Sequence, residues 1–245
     1  MDRYEFRRHF GTHGPVVLPV IHVLETERTL ANIDILADLG ANGCFLINHD
    51  FDVETFLPIL RKVRSQRPNI WMGVNFLAVT GLHAIPKLAE LERRGFPFEA
   101  YWADDARVDE RAETQSEAQA ILDAHSGWHG LYFGGVAFKK QRLVAETDYA
   151  KAAEIATHWM DVVCTSGQAT GVEAEDTKIA TFRAAIGDAP LALASGITPE
   201  NAHRYAQVDC FMVATGINYK NNFYDIDPRR LNDLLDVAKS LGKGP

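Results

Sequence analysis

The sequence predicts an α/β fold in which eight strands alternate with helices. Short apolar runs recur along the 245 residues, and stretches of helical periodicity separate them. The runs centre on Val17, Cys44, Met72, Tyr101, Leu131, Val162, Leu191 and Phe211. Neighbouring centres lie 27 to 31 residues apart, except for a last interval of 20, which is the length of a strand with its crossover. Eight such units match a (β/α)8 barrel, or TIM barrel, so we predict a single domain over residues 1–245 with residues 1–14 as an N-terminal extension.

Individual elements can be placed by their patterns. Within residues 56–63, and again within 231–238, apolar residues fall at positions i, i+3, i+4 and i+7, which predicts one buried face on each helix. Asp227-Pro228 and Thr198-Pro199 each place a capping side chain before a proline, which predicts two helix starts. The apolar strand at residues 189–194 is typical of a parallel sheet that is covered on both faces.

An open, doubly wound sheet is the alternative fold. A Gly-x-Gly-x-x-Gly segment after a strand would favour it. The sequence contains neither that motif nor a Walker A motif. The closed barrel is therefore preferred.

Composition excludes several classes of protein. The 33 acidic residues outnumber the 25 lysines and arginines, whereas binding to nucleic acid depends on a basic face. Residues 1–10 lack the apolar core of a secretion signal, and the apolar stretch 15–23 is too short to cross a bilayer. We therefore expect a cytoplasmic protein with no nucleic-acid or membrane partner. Cys44, Cys164 and Cys210 form no Cys-x-x-Cys motif and are expected in the core.

Polar residues gather where the predicted strands end, which is the face of a barrel that carries active sites. Catalytic roles are predicted for five of them: His22, Asn48, Asp50, Asn75 and Lys139. His22 also fits a hydrogen-bonded core histidine, Asn75 an inner barrel layer, and Lys139 a solvent-exposed position. Asp104 and Asp105 follow the fourth run but equally fit a solvated loop.

Three later loops combine glycines with hydroxyl residues, which favours an anion site. Glycine lets the backbone approach a ligand, and exposed N–H groups attract negative charge. The loops after strands seven and eight hold a phosphate in many barrels. The predicted phosphate-binding residues are Ser166, Gly167, Thr170, Gly171, Ser195, Gly196, Ile197, Thr215 and Gly216. The segment 195–201 also fits a plain strand-to-helix turn, with Gly196 at the bend and Thr198 as the cap.

The sequence predicts a bound phosphate but no metal and no organic cofactor. His22, His49 and Asp50 lack the spacing of common metal-ligand sets. No lysine ends the sixth strand, which argues against an imine-forming aldolase. No carboxylate ends the first or the fifth strand, which argues against a two-aspartate isomerase of the histidine-biosynthesis kind.

Three blocks in the C-terminal half share their motifs and spacing with a known family. They are Ser166-Gly167-x-Ala169-Thr170-Gly171, Ser195-Gly196-Ile197-Thr198-Pro199-Glu200-Asn201, and Asp227-Pro228 with Arg230. Matching positions upstream are His22, Asn48 with Asp50, Gly73-Val74-Asn75 with Leu77, and Lys139. This pattern resembles the BtpA/SgcQ family of (β/α)8 barrels over nearly the whole chain, and most strongly from about residue 160 onward.

The sequence departs from the family's pattern on the substrate side. The departures are Leu24-Glu25-Thr26-Glu27, Ala78-Val79-Thr80, Trp102-Ala103, Gly135 and Ala214-Thr215-Gly216. They indicate a divergent branch that keeps the phosphate side of the site. The resemblance therefore implies the fold and an anion site, and not a shared substrate.

The family's name implies a link to the biogenesis of photosystem I complexes, and other members are associated with carbohydrate metabolism. Some members are labelled phosphoribosyltransferases, but this sequence has no acidic pair in an apolar strand followed by a Thr/Gly diphosphate loop.

The leading hypothesis is an enzyme that acts on a small phosphorylated sugar or nucleotide-like molecule. Isomerase or lyase chemistry is favoured over redox chemistry because the sequence carries no redox-cofactor motif. The alternative is a non-catalytic barrel that binds a ligand or a partner protein as an assembly factor. A homo-oligomer is compatible with the sequence.

Overall fold

In the computed structural model, which describes residues 1–243, eight parallel strands form a closed barrel surrounded by helices. The strands are β1 Val16–Val23, β2 Cys44–Asn48, β3 Met72–Asn75, β4 Ala100–Ala103, β5 Leu131–Gly135, β6 Val162–Thr165, β7 Leu191–Leu193 and β8 Cys210–Val213. The helices are α1 Arg3–His9, α2 Thr26–Leu39, α3 Val53–Gln66, α4 Gly81–Arg93, α5 Ser116–His125, α6 Tyr149–Ala156, α7 Asp176–Ile186 and α8 Pro228–Leu241. Each strand pairs with the next, and β8 pairs with β1. The predicted (β/α)8 barrel is confirmed.

Alternate residues of each strand enter two different apolar layers. Leu18 and Val20 of β1 pack inside the barrel with Phe45 of β2, whereas Val17 and Ile21 pack outward with residues of the helices. This alternation follows from the two-residue period of a strand. It also decides which residues at the strand ends face the mouth of the barrel.

Helix α8 begins where the sequence predicts. The Asp227 carboxylate accepts a hydrogen bond from the Arg229 backbone N–H at 2.9 Å, and Pro228 occupies the first helical turn. The buried faces of the two periodic segments are Phe56, Leu60 and Val63 on α3 and Leu231, Leu234 and Ala238 on α8. Both helical patterns are therefore confirmed.

The connection between β7 and β8 differs from the prediction. Thr198-Pro199 does not start an α-helix; the chain turns and then forms a short 3-10 helix, Ala202–Tyr205. The side chain of Asn201 stabilises this turn: its Oδ1 accepts a hydrogen bond from the Thr198 backbone N–H at 2.8 Å. The short interval between the last two apolar runs leaves too few residues for a full crossover helix.

Helix α1 closes the end of the barrel at which the strands begin. Phe6 is fully buried there among the inward-facing strand residues. Asp209, just before β8, is also fully buried, and its carboxylate accepts hydrogen bonds from Arg3 at 3.0 Å and from Arg7 and Arg183 at 2.7 Å each. Three guanidinium groups therefore compensate one desolvated carboxylate. With this end sealed, the barrel opens only at the carboxyl ends of its strands within the described chain.

The three cysteines lie in the core, as predicted: Cys44, Cys164 and Cys210 are all buried. Among the helices of residues 1–243, none combines the length and the apolar character needed to span a bilayer.

Candidate functional site

A cavity of about 50 Å³ lies at the carboxyl-terminal mouth of the barrel, and this volume suits a few water molecules or one phosphate-sized group. The predicted residues that line it are His22, Lys139, Thr170, Gly171, Ser195, Gly196, Ile197, Thr215 and Gly216. Its wall also contains four polar residues outside the predicted catalytic set: His49, Trp102, Asp104 and Lys140. Five predicted residues lie outside this wall: Asn48, Asp50, Asn75, Ser166 and Gly167.

The loops after β7 and β8 meet backbone to backbone. A Cβ atom added to Gly216 would lie 1.8 Å from the Ile197 carbonyl oxygen. A Cβ on Gly196, which has a φ of +66°, would lie 2.4 Å from the backbone nitrogen of Glu173 in the loop after β6. Glycine is therefore required at both positions for the close approach of the loops. The approach brings backbone amides from two loops to one place.

Two of the predicted hydroxyl groups are engaged in hydrogen bonds that join the loops after β5, β6 and β7. Ser195 Oγ accepts a hydrogen bond from the Gly167 N–H at 2.7 Å and donates to the Val172 carbonyl at 3.0 Å. Ser166, which is fully buried, accepts from the Lys139 N–H at 2.9 Å and donates to the Gly167 carbonyl at 2.8 Å. The serines thus fix the positions of groups that do line the cavity.

Several backbone amides at the cavity lack a hydrogen-bond acceptor in the part of the chain that the structure describes. Within residues 1–243, no acceptor pairs with the N–H groups of four cavity residues, namely Gly196, Ile197, Thr215 and Gly216. After β8 the chain makes a tight turn in which the Ala214 carbonyl accepts from Ile217 N–H at 3.0 Å and Asn218 N–H at 3.2 Å. The amides at the start of this turn are consequently left without an acceptor. Such groups favour an anion.

Lys139 crosses from the loop after β5 toward the loop after β7. Its Nζ donates a hydrogen bond to the Ala194 carbonyl oxygen at 2.8 Å. Burial lowers the pKa of Lys139 to about 8, against the opposing attraction of Asp104, while the charge of Lys140 lowers it further. Lys139 therefore remains largely cationic at neutral pH yet exchanges its proton more readily than a surface lysine.

His22 ends the first strand and faces the cavity in its neutral form. Its Nδ1 lies 2.8 Å from the Phe223 carbonyl oxygen, and the two rings stack with centroids 3.7 Å apart. Burial lowers the pKa of His22 to about 4; the hydrogen bond to Phe223 opposes this, and the nearby charges of His49 and the two lysines add to it. Because a carbonyl only accepts, Nδ1 carries the proton and Nε2 keeps a free lone pair.

Asp104 is the carboxyl group of the cavity. Only 6% of the residue is exposed, and its Oδ1 accepts a hydrogen bond from Asn75 Nδ2 at 3.3 Å. Burial raises the pKa of Asp104, and the charges of Lys140 and Lys139 oppose that rise. Asn75 thus reaches the site through Asp104, although it does not line the cavity itself.

Asn48 and Asp50 lie away from the cavity. The Asn48 side chain donates to the Phe51 carbonyl at 2.7 Å and accepts from the Leu77 N–H at 3.0 Å, so it joins the loops after β2 and β3. Asp50 is exposed. The two-residue period of β2 turns His49 toward the cavity and Asn48 away from it, and the position of a residue at a strand end does not by itself indicate this direction.

Residues 218–226 form a strap over one side of the mouth. The ends of the strap pair at an antiparallel bridge between Asn218 and Ile226. Arg28 and Asp225 form a bidentate ion pair at 2.5 and 2.6 Å, and Tyr224 donates a hydrogen bond to Asp50 at 3.2 Å. These contacts hold the Phe223 ring against the histidine of the first strand.

Residues 1–243 contain no group of three or more His, Cys, Asp and Glu side chains arranged to hold a metal ion.

Comparison with known proteins identifies the fold and no family. Neither the protein-family models nor the curated proteins give a match to this sequence. Among solved structures, (S)-3-O-geranylgeranylglyceryl phosphate synthase from Thermoplasma acidophilum is similar, with a TM-score of 0.65, 13% identity, and coverage of 97% of this chain and 98% of that one. Tryptophan synthase subunit alpha from Legionella pneumophila has a TM-score of 0.63 at 15% identity, and both chains are covered completely.

Phosphoribosyl anthranilate isomerase from Thermus thermophilus has a TM-score of 0.61 at 13% identity, with 92% of this chain and 99% of that one covered. At such identities the likeness establishes the architecture alone, and the chemistry has to be argued from the site.

Proposed function

We propose that this protein is a phosphate-binding barrel enzyme that acts on a small phosphorylated metabolite. The observation that carries the proposal is the set of unpaired backbone amides at the cavity: Gly196, Ile197, Thr215 and Gly216. They come from two loops whose backbones touch. A phosphate group would supply the acceptors that these N–H groups lack.

The charges around the cavity support an anionic ligand. Lys139 and Lys140 both line it, while the protein as a whole carries a formal charge of −8. His22 and His49 have lowered pKa values because of burial, so neither ring adds a positive charge at neutral pH. The lysines therefore supply the local field that attracts phosphate into a net-negative protein.

The site also supports proton-transfer chemistry. Lys139 has a pKa lowered to about 8 by burial, which is suited to exchanging a proton or stabilising a developing oxyanion. His22 offers the lone pair of a neutral imidazole. We propose these two residues as the groups that contact the reacting part of the substrate, in an isomerase or lyase reaction. Asn75 positions Asp104, and Asn48 and Asp50 support the surrounding loops and strap.

The solved structures that share this fold give the proposal a context. Two of those reported above carry phosphorylated compounds in their names: the geranylgeranylglyceryl phosphate synthase, which is in complex with its substrate sn-glycerol-1-phosphate, and the phosphoribosyl anthranilate isomerase. For this chain we propose a role in carbohydrate-phosphate metabolism on the same grounds. A non-catalytic assembly factor would be favoured by a mouth plugged with side chains; the ionisable groups of His22, Asp104 and Lys139 on the cavity wall favour an enzyme.

We also propose that the chain is a divergent relative of the BtpA/SgcQ barrels. The blocks 166–171 and 195–201, which carry that resemblance, form the loops that meet at the cavity. Trp102 and Thr215, which depart from the family's pattern, line the same cavity. Anion-site motifs that resemble the family's, beside a substrate side that departs from it, are the arrangement expected of such a branch.

Calorimetric titration with inorganic phosphate and methyl phosphate tests the proposed function. A ligand bound only by the native state also raises the unfolding temperature as its concentration increases. We expect saturable binding and a rising melting temperature, with potassium chloride at matched ionic strength as the control. Absence of binding at millimolar concentrations would contradict the proposal.

A further inference from the structure

Two buried polar atoms of the cavity have no partner anywhere in residues 1–243. Trp102 Nε1 is a donor without an acceptor, and Asp104 Oδ2 is an acceptor without a donor. The two residues are 4% and 6% exposed, and both line the cavity. Leaving a buried polar atom unsatisfied costs about 1 to 3 kcal/mol, so two such atoms at one cavity indicate groups reserved for a ligand.

Trp102 and Asp104 lie on the same face of β4 and its extension. They are separated by two positions, so the period of the strand turns both into the barrel mouth. Asn75 Nδ2 already occupies Oδ1 of Asp104 at 3.3 Å. The remaining oxygen is therefore held in place with its acceptor capacity unused.

This pair of atoms lies in the same cavity as the amides of the loops after β7 and β8. Lys139 connects the two regions, because its ammonium group is bonded to the Ala194 carbonyl next to Ser195 and is attracted by the Asp104 carboxylate. A ligand whose phosphate lies at the amides and whose carbon chain continues across the cavity toward the solvent would meet Trp102 and Asp104 on the wall.

We propose that Trp102 Nε1 and Asp104 Oδ2 form a second subsite, which binds a hydroxyl oxygen of the substrate. A hydroxyl accepts one hydrogen bond and donates another, and it therefore complements an unpartnered indole N–H and an unpartnered carboxylate oxygen on the wall of one cavity. The substrate is accordingly a phosphomonoester of a hydroxylated carbon chain, and not of an apolar group. This inference rests on the proposed phosphate site and assigns the part of the substrate beyond it.

Calorimetry with a graded series of phosphomonoesters tests the subsite. The series is methyl phosphate, sn-glycerol 3-phosphate and D-ribose 5-phosphate, which carry an increasing number of hydroxyl groups. In the wild type we expect the glycerol and ribose esters to bind at least about tenfold more tightly than methyl phosphate, the effect of one hydrogen bond to a charged acceptor. Trp102→Phe should remove most of this advantage, so that the ratio between the affinities for the hydroxylated esters and for methyl phosphate falls toward one.

Trp128→Phe is the matched control. Trp128 is also buried with an unpartnered indole N–H, but it lies outside the cavity. Its replacement should leave all three affinities unchanged. Asp104→Leu provides a second route to the same result if Trp102→Phe does not fold, since it removes the acceptor.

The outcomes separate the two proposals. If methyl phosphate does not bind to the wild type, the phosphate site is refuted and the subsite with it. If methyl phosphate binds but the hydroxylated esters bind no more tightly, the subsite is refuted while the phosphate site stands. Retention of the full advantage in folded Trp102→Phe and Asp104→Leu would also overturn the subsite.

Discussion

The Nζ atom of Lys139 lies 2.8 Å from the carbonyl oxygen of Ala194, so a side chain from the loop after β5 ends beside the first residue of the loop after β7. This contact places a cation next to the unpaired amides without consuming any of them. Lys139 thus connects the charged side chains of the site with its backbone amides. The effects of substitutions in these two sets of groups can be measured separately.

Lys139→Met should weaken phosphate binding about tenfold or more, because it removes a half-buried cation from the wall of the cavity that the amides line. The unfolding temperature should stay close to that of the wild type, since the desolvation cost of the charge disappears together with one hydrogen bond. Titration calorimetry measures the affinity. Lys151→Met, at an exposed position on α6, is the control and should bind phosphate normally.

Thr215→Pro removes one of the unpaired N–H groups without breaking an internal hydrogen bond, because this N–H donates to no acceptor in the described chain. Proline is tolerated at the first position of a helical turn. We expect phosphate affinity to fall about ten- to one-hundredfold, the effect of one charge-assisted hydrogen bond. Thr215→Ala keeps the amide and should bind nearly as tightly as the wild type; equal affinities of the two variants would rule out a role for this amide.

Gly216→Ala should destabilise the protein by roughly 1 to 3 kcal/mol, the usual cost of forcing an extra carbon into packed structure, and it should also weaken phosphate binding. The added Cβ would lie 1.8 Å from the Ile197 carbonyl oxygen, so the loops after β7 and β8 must separate. Urea unfolding measures the loss. Gly127→Ala, where no atom lies within 4 Å of the new carbon, should be nearly neutral, and similar losses in both variants would argue against the loop contact.

His22 should titrate near pH 4 in the folded protein, far below its ordinary value of 6.5, because the ring is buried. The unfolded chain then takes up a proton first on acidification, so the stability that this residue contributes is lost as the pH falls from 6.5 toward 4. NMR titration of the imidazole resonances measures the pKa directly. Phe223→Ala uncovers the ring and should move its pKa upward, whereas a wild-type value near 6.5 would contradict the buried, stacked placement.

Asp209→Asn should destabilise the barrel by roughly 3 to 5 kcal/mol, the cost of breaking a buried ion pair, because three guanidinium groups lose their common carboxylate. Phosphate affinity should not change, since Asp209 lies at the sealed end of the barrel. Chemical denaturation and calorimetry on the same sample measure the two effects. A large drop in affinity of the folded variant would show that the two ends of the barrel are coupled.

The barrel could be predicted from the sequence because short apolar runs recur eight times along the chain. Each predicted strand centre, from Val17 to Phe211, lies inside an observed strand. The α-helix predicted at Thr198 was wrong because a local capping pattern indicates a start but not the length of chain available. The length of the last interval, 20 residues, was the signal for a shorter connection.

The candidate site was predictable where it depends on main chain and less so where it depends on side-chain direction. The loops after the last strands can approach closely because Gly196 and Gly216 have no side chain, and both glycines are visible in the sequence. At the end of β2, however, Asn48 and His49 are neighbouring polar residues that differ only in direction. Phe45 and Ile47 face into the barrel, so His49 does as well, whereas Asn48 faces the other way. In the same way, Trp102 of β4 faces into the barrel, and Asp104, two residues later, does as well. The acidic composition of that loop does not predict this direction.

The position of α1 has a practical consequence for studying the protein on a surface. Because this helix covers the end opposite the cavity, an affinity tag or linker placed ahead of Arg3 would tether the molecule with its mouth toward the solution. A biosensor chip loaded in that orientation should give the full binding capacity for small anions, whereas coupling through the lysines beside the mouth should reduce it.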